Sequence, residues 1–248
     1  MSERFRDYSE YWTRLQGSHH LHPANRYRYW LIVRALRRRG VRFASVLDCG
    51  CGDGSLLTSV LQSFGAERAI GVDISPETIE NLRKNGPPGA SFRVADLGQP
   101  LQGAEPVDLV LCSEVIEHVP NDDVLLRNLA SLVVPGGHLV LTTQSGPVRR
   151  TEQTLGHLRH YDLAELSRRV EKAGFRVLEK RRRGFPLLNL QKTLAEKFYA
   201  SVTSKLMGQE SVSLPMRAVF AAFYQGYKLC ALGGGPQLLI VAQREARA

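Results

Sequence analysis

Two groups of residues have the types and spacing that chemistry needs. The first is Val46 to Leu57, VLDCGCGDGSLL: an apolar run, Asp48, glycines at 50, 52 and 54, then a second apolar run. The second is Ser113 to Pro120, SEVIEHVP, which carries Glu114, Glu117 and His118. Glycine has no Cβ and tolerates unusual φ/ψ angles, so the first group reads as a turn that brings backbone close to a ligand. Phosphate-binding loops and nicotinamide-binding folds use similar turns, so the glycines alone leave the ligand open. On a helical turn, positions 114, 117 and 118 share one face, which predicts that two carboxylates and an imidazole converge. Such a group suits removal of a proton from a hydroxyl, or retention of a cation.

The elements that must position these groups follow from apolar patterning. Ser45 to Leu47 reads as a buried strand and Leu56 to Phe64 as a helix, placing the glycines at a strand-to-helix turn. Ile70 to Ile74 is an apolar strand reaching Asp73, about 20 residues after the glycines, where a carboxylate accepts hydrogen bonds from ribose hydroxyls. Phe92 to Leu97 is another short strand reaching a carboxylate, Asp96, placed to hold an adenine amino group. Val107 to Cys112 is a buried strand that runs into the acidic segment. Strands near 44–48, 69–73, 91–95, 107–112 and 138–143 alternate with helices near 54–64, 76–85 and 121–133. That alternation predicts a parallel sheet with ligands beyond the carboxyl ends of its strands. Asn25 to Arg39 reads as a helix closed by Gly40, and Leu163 to Ala173 as a helix capped by Asp162 and stopped by Gly174. Phe175 to Lys180 and Pro236 to Arg244 read as the last two strands.

Taken together these features resemble the class I S-adenosylmethionine-dependent methyltransferases. Asp48, Gly50, Gly52 and Gly54 match that family's D-x-G-x-G-x-G pattern, and the Lys-Ser/Thr of a P-loop is missing. The resemblance covers roughly residues 42–180. It implies an α/β fold: a Rossmann-like, seven-stranded, mostly parallel sheet with helices on both faces. It also implies S-adenosylmethionine as cofactor, held by Asp48, Gly50, Cys51, Gly52, Gly54, Asp73, Ile74, Asp96, Leu97 and Ser113. Val134 to Leu141 is similar to the family's turn into its fifth strand, with Pro135, Gly136 and Gly137 structural and His138 at the surface. The E-x-x-E-H segment resembles two sets of enzymes, the O-methyltransferases of ubiquinone biosynthesis and the small-RNA 2′-O-methyltransferases. In both, the glutamates and histidine are associated with a divalent cation and joined by a later histidine, which Gly156-His157 supplies here. The resemblance therefore implies a metal set of Glu114, Glu117, His118 and His157 for Mg²⁺, and a catalytic set of His118, His157 and Glu117. Two alternatives stay open: a metal-free site with His118 as general base and Glu114 capping backbone, or a structural segment. His157 fits the relatives' pattern better than His160, and Tyr161 is expected to line the pocket.

Composition bounds the rest. The chain has 248 residues, 43% hydrophobic and 23% charged, enough for one sizeable α/β domain plus an appendage. The expected organisation is an N-terminal helical lid at 1–40, a cofactor-binding core at 41–183 and 236–248, and a helical insertion at 184–235. Tyr8, Tyr11 and Trp12 are read as lid aromatics; Tyr27, Trp30, Leu31 and Val33 as residues packed on the sheet. His19, His20 and His22 are read as polar loop residues. Cys49, Cys51, Cys112 and Cys230 form no C-x-x-C pair and read as reduced thiols. The start of the chain is charged and no apolar run approaches about 20 residues, so the expected place is the cytoplasm. A net charge of +9 with arginine runs at 37–39, 149–150 and 181–183 raises nucleic acid as a partner. The runs sit at element ends, where solvated edges are commoner, and no RNA-binding module with interleaved aromatics accompanies them. The insertion admits a substrate pocket, a homodimer surface or a peripheral membrane contact, in that order. The expected function is methyl transfer to a small molecule, at a hydroxyl oxygen, in a biosynthetic or tailoring pathway. RNA 2′-O-methylation and a non-catalytic cofactor-binding subunit are the rivals; no Asn-Pro-Pro-Tyr motif follows the fourth strand.

Overall fold

A computed structural model describes residues 21–199, 214–230 and 233–245. Its single sheet contains β1 (Ser45–Cys49), β2 (Arg68–Asp73), β3 (Ala90–Val94), β4 (Val107–Ser113), β5 (Val133–Gln144), β6 (Phe175–Arg183) and β7 (Gln237–Arg244). The strand order is β3-β2-β1-β4-β5-β7-β6, and β7 alone in that order runs antiparallel to its neighbours. The central strands are buried on both faces, which is why they read as unbroken apolar runs.

Helices cover both faces. On one side lie α1 (Pro23–Arg39), α2 (Ser55–Phe64) and α3 (Pro76–Asn85), packing Ile32, Leu36, Leu57, Val60 and Ile79 onto the sheet. On the other lie α4 (Asp122–Leu132) and α6 (Leu163–Lys172), through Leu125, Leu129, Leu166 and Val170. Asp162 caps α6 as its sequence predicts, its carboxylate accepting from the amides of Ala164 and Glu165. Between β1 and β4 the chain order reverses, opening a crevice at the carboxyl ends of the strands.

β5 starts earlier than its apolar run, because Val133 already pairs with Val107 before a register shift brings His138 opposite Leu109. Val134 to Gly137 form the resulting bulge. A Cβ on Gly137 would lie 2.9 Å from the Asp108 carbonyl oxygen, so the close approach requires glycine.

A short helix, α5 (Arg150–Thr154), and two helices of the insertion, α7 (Leu187–Lys197) and α8 (Leu214–Leu229), complete the described chain. They correct one expectation. Val33 does pack on the sheet, but Tyr27 and Trp30 face the insertion: Tyr27 stacks with Trp30 and buries against Leu188 and Tyr227. Tyr8, Tyr11, Trp12, His19 and His20 lie outside the described residues. No described helix is long and apolar enough to cross a membrane.

The arginine runs are tied down more than solvated edges would be. Arg38 and Arg39 at the end of α1 and Arg181 on β6 all close on Glu179, which is 5% exposed. Burial alone would raise the Glu179 carboxyl pKa, but the three guanidiniums outweigh it and hold it below the ordinary value. A depressed folded-state pKa makes this contribution present above the ordinary carboxyl range and lost as pH falls below about 4.5. Glu179→Ala is expected to lower the unfolding free energy by about 2 kcal/mol at neutral pH, read by urea denaturation, with the difference from the parent shrinking in acid.

Candidate functional site

The turn after β1 is built by glycines in left-handed conformations: φ is +75° at Gly50, +51° at Gly52 and +74° at Gly54. A side chain at Gly50 would be strained and would also drive a Cβ to 2.3 Å from Val115 Cγ2. The amides of Gly50 and Cys51 both donate to the Val72 carbonyl, 2.8 and 3.0 Å, which pins the turn to β2. At the end of β2, Asp73 completes it. Its Oδ2 accepts from the Gly52 amide at 2.9 Å and its Oδ1 from the Ser75 amide at 3.1 Å. Burial lifts the Asp73 pKa against the pull of those amides.

Asp48, 1% exposed, stands behind the turn with Oδ2 lacking any hydrogen-bond partner in the protein. Burial, then the charges of Asp73 and Asp53, raise its carboxyl to about 7. The turn opens into a cavity of about 710 Å³. Asp48, Gly50, Cys51, Gly52, Asp73, Ile74, Asp96, Leu97 and Ser113 all line it. Gly54 instead packs behind, against Leu82. Asp96 is exposed, with Oδ1 accepting from the Gly98 amide, and the Ile74 side chain is half exposed.

At the other end of the same cavity the acidic segment departs from a helical turn. Glu114 has φ +57°, a left-handed conformation that non-glycine residues adopt rarely, and its carboxylate is thereby committed to the sheet. Oε1 accepts from Gln237 Nε2 at 2.8 Å and Thr142 Oγ1 at 3.1 Å; Oε2 accepts from Gln144 and lies 3.8 Å from the Arg28 guanidinium. Burial pushes the Glu114 pKa up, but Arg28 and the two amides more than reverse this and leave it low.

Glu117 is fully buried; Oε2 accepts from Thr143 Oγ1 at 2.8 Å and Oε1 has no partner. Burial and then the neighbouring Glu114 charge push its pKa well above the ordinary carboxyl value. The His118 and His157 rings meet edge to face, centroids 4.7 Å apart. Burial lowers the pKa of both, His157 to about 3, so both imidazoles are neutral.

Ligand atoms of Glu117, His118 and His157 lie within 4.8 Å of one another. Three of the four expected metal ligands therefore come together, and the fourth, Glu114, belongs to a separate hydrogen-bond set. The orphaned carboxylate oxygen and two neutral imidazoles form a donor set that fits a divalent cation. Tyr161 does not line the pocket: it is 4% exposed, with its hydroxyl on Asp122 and the Ile116 carbonyl.

Several wall residues carried no signal in the sequence. Arg28 comes from α1, Gln144 and Gln237 face each other across the β5–β7 register, and Gln191 and Lys192 come from α7. Lys192 donates to Gln144 Oε1 at 2.9 Å and ion-pairs with Glu152. The only available hint was polar side chains at the tips of apolar strands.

Comparison with known proteins gives a consistent answer. The model of a methyltransferase-domain family matches residues 19–180. The ubiquinone biosynthesis O-methyltransferase of Xanthomonas euvesicatoria pv. vesicatoria (strain 85-10) is 34% identical over 128 residues, 50% of this chain and 51% of that one. The protein of the same name from Coxiella burnetii (strain RSA 493 / Nine Mile phase I) is 31% identical over 144 residues, 56% and 59% of the two chains. The chain thus spans between half and three fifths of the length of these curated relatives.

Among solved structures, the S-adenosylmethionine dependent methyltransferase from Mesorhizobium loti superposes with a TM-score of 0.57 at 21% identity, over 85% of this chain and 96% of that one. N-methyltransferase NodS from Bradyrhizobium japonicum WM9, solved in complex with S-adenosyl-L-homocysteine, gives 0.57 at 16% identity, over 94% and 91%. The fold is that of the class I S-adenosylmethionine-dependent methyltransferases. The chain belongs to the methyltransferase-domain family.

Proposed function

We propose that this chain is an S-adenosylmethionine-dependent methyltransferase that methylates a hydroxyl oxygen of a small molecule. One observation carries the reading: a single cavity joins the glycine turn and Asp73 at one end to His118 and His157 at the other. Its orphaned Asp48 oxygen and close-approach glycines fit the cofactor. Asp73 would hold the ribose hydroxyls while anchoring Gly52; Asp96 would hold the adenine amino group, with Ile74 and Leu97 flanking the base. Asp48 and Arg28 would face the charged amino-acid end, and Ser113 the space between the two ends. When bound, the cofactor supplies the electrophilic methyl and its own leaving group.

The chain's own residues must orient the acceptor and take up its proton. Neutral His118 and His157 are the bases in reach. Glu117, His118 and His157 are also the residues that would hold a divalent cation such as Mg²⁺; when bound, it would polarise the acceptor hydroxyl and lower its pKa. The assignment to oxygen is supported by the curated relatives, both named as O-methyltransferases. RNA as acceptor gains nothing from the arginine runs, several of which are committed to Glu179 and Glu196. The proposed organisation keeps a lid at 1–40, a core at 41–183 and 236–248, and an insertion at 184–235. From the insertion, Leu188, Gln191 and Lys192 form the acceptor side of the cavity.

Titration of the protein with S-adenosylmethionine by calorimetry tests the reading. A positively charged cofactor favours ionised Asp48, whose carboxyl is otherwise protonated up to about 7. Affinity is therefore expected to rise with pH, by up to about tenfold per unit below 7, and to level off above it. Asp48→Asn should flatten that dependence. Release of S-adenosylhomocysteine with a catechol as acceptor is the accompanying assay, and absence of cofactor binding at every pH overturns the function.

A further inference from the structure

Behind His157 lies a second imidazole that the functional reading does not use. His160 Nδ1 is 3.1 Å from the Gly146 carbonyl oxygen, and His160 Nε2 is 3.0 Å from His157 Nδ1. A carbonyl oxygen only accepts, so His160 carries its proton on Nδ1. In neutral His160 the Nε2 atom then holds a lone pair and accepts, so the proton between the rings sits on His157 Nδ1. Neutral His157 is left with its lone pair on Nε2, the ring nitrogen turned away from His160.

The groups around this pair allow that arrangement. Glu152 Oε2 lies 3.6 Å from His160 Nε2, too far for a hydrogen bond, and it already accepts from the Arg149 amide at 2.8 Å. The other Glu152 oxygen pairs with the Lys192 ammonium. The carboxylate is thus answered without a cationic His160.

We infer that His160 is a positioning residue: through the Gly146–His160–His157 relay it fixes His157 in the tautomer with Nδ1 protonated and the lone pair on Nε2. The inference rests on the reading of His157 as a site residue, because only there does a single basic nitrogen matter. A base or cation ligand whose lone pair moves between two nitrogens is correctly set for part of the time; a relay holds it in one state.

Heteronuclear NMR of the imidazole nitrogens, in protein without cofactor or acceptor, tests this at about pH 8, above the ordinary imidazole pKa of about 6.5. The expected spectrum of the parent chain shows His157 with a protonated Nδ1 and an unprotonated Nε2, and His160 in the same tautomer. His160→Phe is expected to convert His157 to a mixture of tautomers. His160→Gln, whose side-chain oxygen accepts from His157 Nδ1, is expected to restore the single form. A parent spectrum with the proton on His157 Nε2 overturns the inference without need of any variant. An unchanged His157 tautomer in His160→Phe overturns it too. Since the readout involves no methyl transfer, a failed catechol assay with the expected spectrum would remove the proposed reaction and leave the relay standing.

Discussion

Replacing Asp73 with asparagine is expected to weaken S-adenosylmethionine binding by about 100-fold. In the proposed reading the carboxylate would do three things at once: hold the Gly52 amide at 2.9 Å, hold the Ser75 amide at 3.1 Å and accept from the ribose. An amide of the same shape has one acceptor oxygen in place of two and no charge. Each charge-assisted hydrogen bond contributes about 1.5–3 kcal/mol. Loss of about 3 kcal/mol corresponds to two orders of magnitude in affinity. The fold should survive with a lowered melting temperature: the neutral side chain avoids the desolvation that lifts the Asp73 pKa, while one of the Gly52 and Ser75 amides loses its acceptor. Calorimetric titration alongside a thermal melt separates the two effects. An affinity within a few-fold of the parent would show that the turn is not the cofactor's cradle.

The second large effect is expected at Glu117. Glu117→Gln should lower methyl transfer to the acceptor by about 10³-fold while leaving S-adenosylmethionine affinity within about twofold. Titration of the variant with Mg²⁺ or Mn²⁺ should show no binding. Its melting temperature should match or exceed the parent's, since a fully buried carboxyl with an orphaned oxygen and a raised pKa gives up stability for chemistry. Reduced turnover with unchanged cation binding would instead mean that Glu117 acts only by orienting His118 and His157.

Most of the fold was legible because its core strands are long in apolar residues and end in carboxylates or glycines. β1 to β4 fall within a residue or two of their apolar runs, and β5 extended further only because Val133 pairs across a bulge. The helix α6 was legible at both ends, through Asp162 and Gly174. The glycine turn was legible in detail, as its left-handed angles are what that residue pattern demands.

The acidic end of the site was not. Spacing placed Glu114, Glu117 and His118 on one helical face, but a left-handed Glu114 rotates its carboxylate toward Gln144 and Gln237. That choice is made by tertiary partners far along the chain, the nearest of them, Thr142, 28 residues away. For the same reason Tyr161 and Tyr27 were misplaced. Each is aromatic and near the site in sequence, yet one is drawn to Asp122 and the other to the insertion.

The position of β7 has a consequence for how the molecule is made. It lies between β5 and β6, so β6 has no strand partner until residues 237–244 have been synthesised. The same strand delivers Gln237, one of the two amides that hold the Glu114 carboxylate. A chain still growing on the ribosome would therefore lack part of the hydrogen bonding of Glu114. Vectorial synthesis keeps the sheet open along β5 until β7 slots in, and the hydrogen-bond set around Glu114 is completed only at that step.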